Sequence, residues 1–130
     1  YLYHDGIIYN HATRQYSEKV LARLTRIKPG ENFTKLNENI KSVHSGSYGR
    51  MKWSEPTMTI TTRFDTPSGG RFTLPDQDRT LTVREAARIQ SFPDNYRFYG
   101  NKTSINKQVG NAVHPKLAYF LALYLKNLLV

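Results

Sequence analysis

Apolar residues first recur at helical spacing in Ser17–Lys28, where Val20, Leu21, Leu24 and Ile27 fall at i, i+1, i+4 and i+7. This spacing predicts a short helix with Ser17 at its N-cap, stopped by Pro29-Gly30. From Glu31 to Ser47 polar residues prevail, and a loop is expected. Over 57–64 the period shortens to two: Met58, Ile60 and Thr62 alternate with Thr57, Thr59, Thr61 and Arg63, a β-branched run that predicts a strand. Thr66-Pro67-Ser68-Gly69-Gly70 has turn chemistry and Arg71–Leu74 suits a return strand. Residues 53–75 are therefore expected to form a β-hairpin with a long loop.

Helical spacing returns after Leu81. Thr82 and Glu85 stand three apart, as a capping box requires, so that each side chain satisfies the other residue's free backbone N–H. Val83, Ala86, Ala87 and Gln90 share one face, Phe92-Pro93 ends the helix, and 93–110 reads as loop. Pro115 suits the first turn of a final helix whose Leu117, Tyr119, Phe120, Leu121, Leu123, Tyr124, Leu125 and Leu128 point in every direction. A helix without a polar face needs cover on several sides, and a short chain of loops and one hairpin offers little. A missing partner surface is expected. The run Leu117–Val130 is only 14 residues and carries Lys126, short of the roughly 20 apolar residues that cross a bilayer, so no membrane partner is expected. The elements together predict an α+β fold: a small domain of β-hairpins and loops, a short motif helix and a C-terminal helix.

Composition narrows the chemistry. The 130 residues hold 19 Lys and Arg against 10 Asp and Glu, a net charge of +9. Nine basic and four acidic residues lie in 1–52, six of each in 53–100, and four basic with no acidic residue in 101–130. Such a balance suits a polyanion, whose counterions Lys and Arg release; a solvated basic surface or an acidic protein partner remain alternatives. The absence of Cys excludes a disulfide scaffold, a thiolate metal site and a cysteine nucleophile within these residues. His4, His11, His44 and His114 are scattered without metal-ligand spacing, and no GxGxxG or P-loop lysine motif appears. No catalytic residue and no metal ligand is assigned. No signal-peptide pattern opens the chain, so a soluble, cytoplasmic setting is expected. A chain beginning at Tyr1 suits a trimmed protein or a piece of something longer.

Two segments are more specific. LTVREAARIQSFPD (Leu81–Asp94) and KQVGNAVHPKLA (Lys107–Ala118), in this order and spacing, resemble the last two shared motifs of DNA (cytosine-5)-methyltransferases. His114 stands where the family usually has a proline. Upstream, Tyr48–Phe64 and Ser68–Arg79 resemble the family's target-recognition region, and Tyr9-Asn10-His11 with Ile27–Gly30 the stretch that opens it. The family's catalytic motifs, including its Pro-Cys nucleophile, are not present here. In the family mechanism a cysteine thiolate attacks C6 of a flipped cytosine, a glutamate assists at N3, and C5 takes the methyl of S-adenosylmethionine.

The resemblance therefore implies the C-terminal part of a bacterial-type enzyme of restriction–modification, nucleoid-associated by function and not catalytic alone. Residues 1–100 would be the target-recognition domain. Residues 101–130 would return to a Rossmann-like catalytic domain, carried on the same chain or on a separate subunit. Double-stranded DNA is the implied partner. The implied DNA contacts are Ser47, Tyr48, Arg50 and Lys52 in one loop, and Thr59, Ile60, Arg63, Gly69, Gly70 and Arg71 around the hairpin. Thr59 would lie near the flipped nucleotide's phosphate, and Arg63 and Arg71 would read guanine or grip phosphate. Asn111, Ala112 and Val113 would approach S-adenosylmethionine, with Gln108 holding the loop. Arg84, Glu85 and Arg88 would organise the recognition region. A stand-alone basic DNA-binding module without catalytic activity is the alternative, and an accessory protein docking an acidic partner is another.

Overall fold

The computed structural model describes residues 7–41 and 45–129. Among these residues lie four helices: α1 (Glu18–Arg26), α2 (Val83–Ile89), α3 (Lys102–Gly110) and α4 (Pro115–Leu128). Short 3-10 turns occupy Phe33–Lys35 and Pro67–Gly69. His4 and His44 lie outside the described residues.

α1 forms where its apolar spacing predicts. Leu24 and the following Ile27 are buried while Leu21 faces out, and Ser17 takes the N-cap position without a side-chain cap bond. In α2 the capping box is complete: Thr82 Oγ1 accepts from the Glu85 N–H at 3.2 Å, and Glu85 Oε2 accepts from the Thr82 N–H at 2.7 Å. α3 departs from the sequence expectation, which made 93–110 a loop. Its sequence is polar but for Ile105 and Val109, four apart, and these pack on the core while the Asn101 side chain caps the Ser104 N–H at 2.9 Å.

The hairpin expected over 53–75 is not seen among the described residues. β-pairing is confined to isolated bridges, Arg50 with Thr73 (parallel) and Thr73 with Thr80 (antiparallel). The residues around Thr73 thus lie between 49–51 and 79–81. Thr73 N–H donates to Gly49 O and Thr73 O accepts from Met51 N–H, while on the other side Leu74 N–H donates to Arg79 O and Leu81 N–H to Phe72 O. Both edges of 72–74 are therefore occupied, 57–61 has no β partner, and the chain turns at 62–65. The two-residue alternation of 57–63 is not matched by a β-ladder among the described residues.

Two apolar clusters result. The larger joins Ile60, Phe64, Phe72, Leu74, Leu81, Ala86, Ala87, Phe98 and Val109; the smaller joins Leu24, Ile27, Leu36 and Tyr48. Because Val109 and Ile105 belong with the larger cluster, α3 packs with the residues before it. α4 has no buried residue, and its large apolar side chains from Leu117 to Leu128 are 40% to 64% exposed.

Candidate functional site

Arg50 lies between the two clusters and is 5% exposed. Its Nε donates to Ile27 O at 2.6 Å, Nη1 to Leu74 O at 2.9 Å and Gln77 O at 3.0 Å, and Nη2 to Leu24 O at 2.6 Å and to Asp78. The guanidinium thus ties the end of α1 to the turn that follows Leu74. Its donors already have partners, which removes Arg50 from the expected DNA-contact loop. Ser47 and Tyr48 are buried as well: Ser47 Oγ donates to Ser68 O at 3.1 Å, and Tyr48 N–H donates to Pro67 O at 2.6 Å. Tyr48 sits at φ 54 with the Arg23 guanidinium 5.5 Å from its ring centre. Of that loop only Lys52 keeps partial exposure, paired to Glu55 at 2.6 Å. Ser47, Tyr48 and Arg50 are scaffold.

The segment beyond divides by side. Thr59 and Arg63 are exposed, whereas Ile60 is only 4% exposed and belongs to the core. Gly70 is also interior: at φ 155 it lies against the Phe72 ring, where a Cβ would come within 2.6 Å. Gly69 meets the Arg63 carbonyl, which would be 2.2 Å from a Cβ. Both glycines let neighbouring chain pack closely where a side chain would clash. Arg71 is half-buried, and its N–H reaches Met58 Sδ at 3.2 Å, which holds 58 beside 71. The structure thus brings Thr59, Arg63 and Arg71 into one region of the chain and withdraws Ile60 and Gly70 from its surface.

Behind this edge, α2 acts as a frame. Arg84 is fully buried, with donors to Tyr9 O, Pro93 O and Tyr96 O and its guanidinium 5.8 Å from the Phe98 ring centre. It fastens residues near the start of the described chain to the loop after α2. Both carboxylate oxygens of Glu85 accept from Arg79, at 2.7 and 2.8 Å, and one also accepts the Thr82 N–H. Burial works against its ionisation, but the Arg79 hydrogen bonds, the Thr82 N–H and the Arg79 charge outweigh that and hold the carboxyl down to about 2.

α3 then connects the frame to the motif loop. Gln90 Nε2 donates to Val109 O at 3.1 Å, and Gln108 Nε2 donates to Tyr99 O at 2.8 Å. A Cβ on Gly110 would lie 2.5 Å from the Thr62 nitrogen and 2.6 Å from the Thr61 carbonyl carbon. Only glycine lets the end of α3 rest directly on the 61–62 backbone. Asn111 and Val113 follow on the surface with Ala112 half-buried, and His114 Nδ1 shares a 2.8 Å hydrogen bond with Ser91 Oγ, which also accepts the Lys116 N–H at 3.1 Å. The residue that replaces the usual proline therefore ties the start of α4 to the end of α2.

The sequence gives no motif for one further group. Asp65, 7% exposed, accepts from Lys102 Nζ at 2.9 Å and pairs with Arg14 at 3.5 Å, and Asn106 lies beside it in the same cavity wall. Burial opposes ionisation of Asp65, yet the Lys102 contact prevails and keeps its carboxyl below the ordinary range. These residues come together only through α3, the element that the polar sequence concealed.

Comparison with known proteins agrees with the motif resemblance. A family model described as C-5 cytosine-specific DNA methylase matches residues 2–127. The chain belongs to this family. It is 51% identical over 84 residues to the rice (Oryza sativa subsp. japonica) DNA (cytosine-5)-methyltransferase 1B, covering 63% of this chain and 5% of that protein. Over 88 residues it is 47% identical to the Arabidopsis thaliana DNA (cytosine-5)-methyltransferase 3, covering 66% and 6% respectively. The mouse (Mus musculus) DNA (cytosine-5)-methyltransferase 1 is 46% identical over 84 residues, 63% of this chain and 5% of that protein. The matched region of these curated methylases is thus about one-twentieth of their length. The bacterial nucleoid setting expected from the resemblance draws no support from these eukaryotic relatives. No helix among the described residues is long and apolar enough to cross a membrane.

Proposed function

We propose that these residues form the target-recognition part of a DNA (cytosine-5)-methyltransferase together with the segment that completes its methyl-donor site. The observation that carries this reading is the Gly110 contact, which sets Asn111–Val113 directly after a backbone junction with Thr61–Thr62, next to Thr59 and Arg63. Recognition residues and donor-site residues thus share one packed unit. Thr59, Arg63 and Arg71 face duplex DNA, the two arginines donating to guanine O6 and N7 or to phosphate. Arg50 and Arg84 hold the backbone that presents them.

The motif loop has the chemistry of one edge of an S-adenosylmethionine pocket. Asn111 offers an exposed amide for polar groups, and Val113 offers exposed apolar surface for a flat ring. The bound cofactor supplies an electrophilic methyl group. The nucleophile comes from outside these residues, since they contain no cysteine. The exposed α4 supports a catalytic part, on the same chain or a second one, that closes over it.

The test is reconstitution. Mixing this chain with a catalytic part that carries a Pro-Cys motif should give methyl transfer to cytosine C5 in duplex DNA, and Asn111→Ala should raise the S-adenosylmethionine concentration required. Absence of transfer with a verified catalytic part, together with tight sequence-specific DNA binding by the chain alone, would favour the stand-alone module.

A further inference from the structure

Arg14, Arg63, Lys102 and Lys107 converge on a cavity of about 250 Å³ whose wall also holds Asp65 and Asn106. We propose that this cavity is a clamp for a backbone phosphate of duplex DNA, with Arg63 taking phosphate and not guanine; it rests on the methyltransferase reading above. Four cations face a single carboxylate. Asp65 takes Lys102 and Arg14 as partners, while Arg63 and Lys107 are exposed and have no acidic partner among the described residues. The carboxylate therefore anchors two of the cations without cancelling the set. Arg14 is fixed further by its bond to Thr66 Oγ1 at 3.0 Å, so less side-chain freedom is given up when a ligand arrives.

One further feature points to an anion. Lys102 occupies the first turn of α3, which has no acidic residue there, although the positive end of a helix dipole disfavours a cation. A negative ligand at that place relieves both charges. Asn106, 6% exposed, closes the wall beside Asp65. α3 begins at this cavity and ends on Thr61–Thr62, so one helix links the clamp to the backbone beside Thr59 and to Asn111.

The test uses the complete polypeptide that carries this chain. Duplex binding is followed by fluorescence anisotropy over a range of salt concentrations, with target and non-target sequences. Replacing both lysines (Lys102→Gln with Lys107→Gln) should reduce the slope of log affinity against log salt by about 0.9 for each phosphate that is no longer neutralised. Target and non-target duplexes should weaken by the same factor, and the corresponding Lys→Arg pair should keep the original slope. An unchanged slope, or a weakening confined to the target sequence, overturns the clamp. Lys107→Gln alone leaves the Lys102–Asp65 pair intact and decides the matter if the double variant fails to fold. Methyl incorporation by the unmodified polypeptide is measured alongside. Its absence would count against the methyltransferase reading, while the salt slope still decides the clamp.

Discussion

Arginine has two opposite duties in this chain, and burial separates them. Arg50 and Arg84 bind backbone carbonyls in the interior, whereas Arg63 is on the surface. Removing the Arg50 side chain takes a donor from the carbonyls of Ile27, Leu74 and Gln77 and leaves Leu24 O only the Ile27 N–H. Arg50→Ala should therefore destabilise the fold by about 3–5 kcal/mol, and Arg50→Lys should not rescue it, because an ammonium cannot span that fork. Urea denaturation measures both; an Arg50→Ala protein of native stability with altered base preference would return Arg50 to the DNA surface. Glu85 gives a pH test. Folding lowers its pKa from near 4.5 to about 2, so its ionised form stabilises the native state fully above about pH 4.5. That contribution, on the order of 2–3 kcal/mol, disappears as the pH falls toward 2. Glu85→Gln should be less stable at neutral pH and show a flatter stability profile across the acid range. A native-like profile for Glu85→Gln, followed by circular dichroism, would assign the acid sensitivity to other carboxylates.

α3 joins the 61–62 backbone to the 111–113 motif loop, and it is the element least legible in the sequence. α1 and α2 carry apolar spacing and stop signals, and α2 adds a capping box, so local physics and final packing agree. α3 has one apolar pair and a polar remainder, and its stability comes from Ile105 and Val109 against Phe64, Phe72 and Phe98. The alternation at 57–63 does not record which edges are free, because pairing is a contest for edges that a single segment does not show. The expected DNA-facing residues divide for a similar reason. Motif resemblance marks positions, and only packing tells Ile60 from Thr59 or Arg50 from Arg63. A substitution at Gly110 tests the α3 junction. Gly110→Ala would force a methyl group into the 61–62 backbone, and the expected cost is about 1–3 kcal/mol with abolished methyl transfer in the reconstituted enzyme. Normal stability and normal transfer in that variant would show that the junction yields without consequence.

α4 separates the described core from whatever completes the molecule. An apolar surface of this extent is not kept bare in water without promoting association. The isolated chain should self-associate at micromolar concentration, and Leu121→Ser with Leu125→Ser should reduce this in sedimentation experiments while leaving the unfolding midpoint unchanged. A marked drop in the midpoint would mean that α4 packs on the core after all. The same exposed leucines and aromatic rings also set how the joined molecule responds to temperature. Burying them is driven near 25 °C by the release of water and carries a negative heat-capacity change, so the joint loosens on cooling. Screening salt, which weakens the grip of cations on phosphate, leaves this joint intact, and kosmotropic salts strengthen it. On the proposed reading, chilling and salt therefore attack different halves of the same machine: cold parts the protein from itself, and salt parts it from DNA.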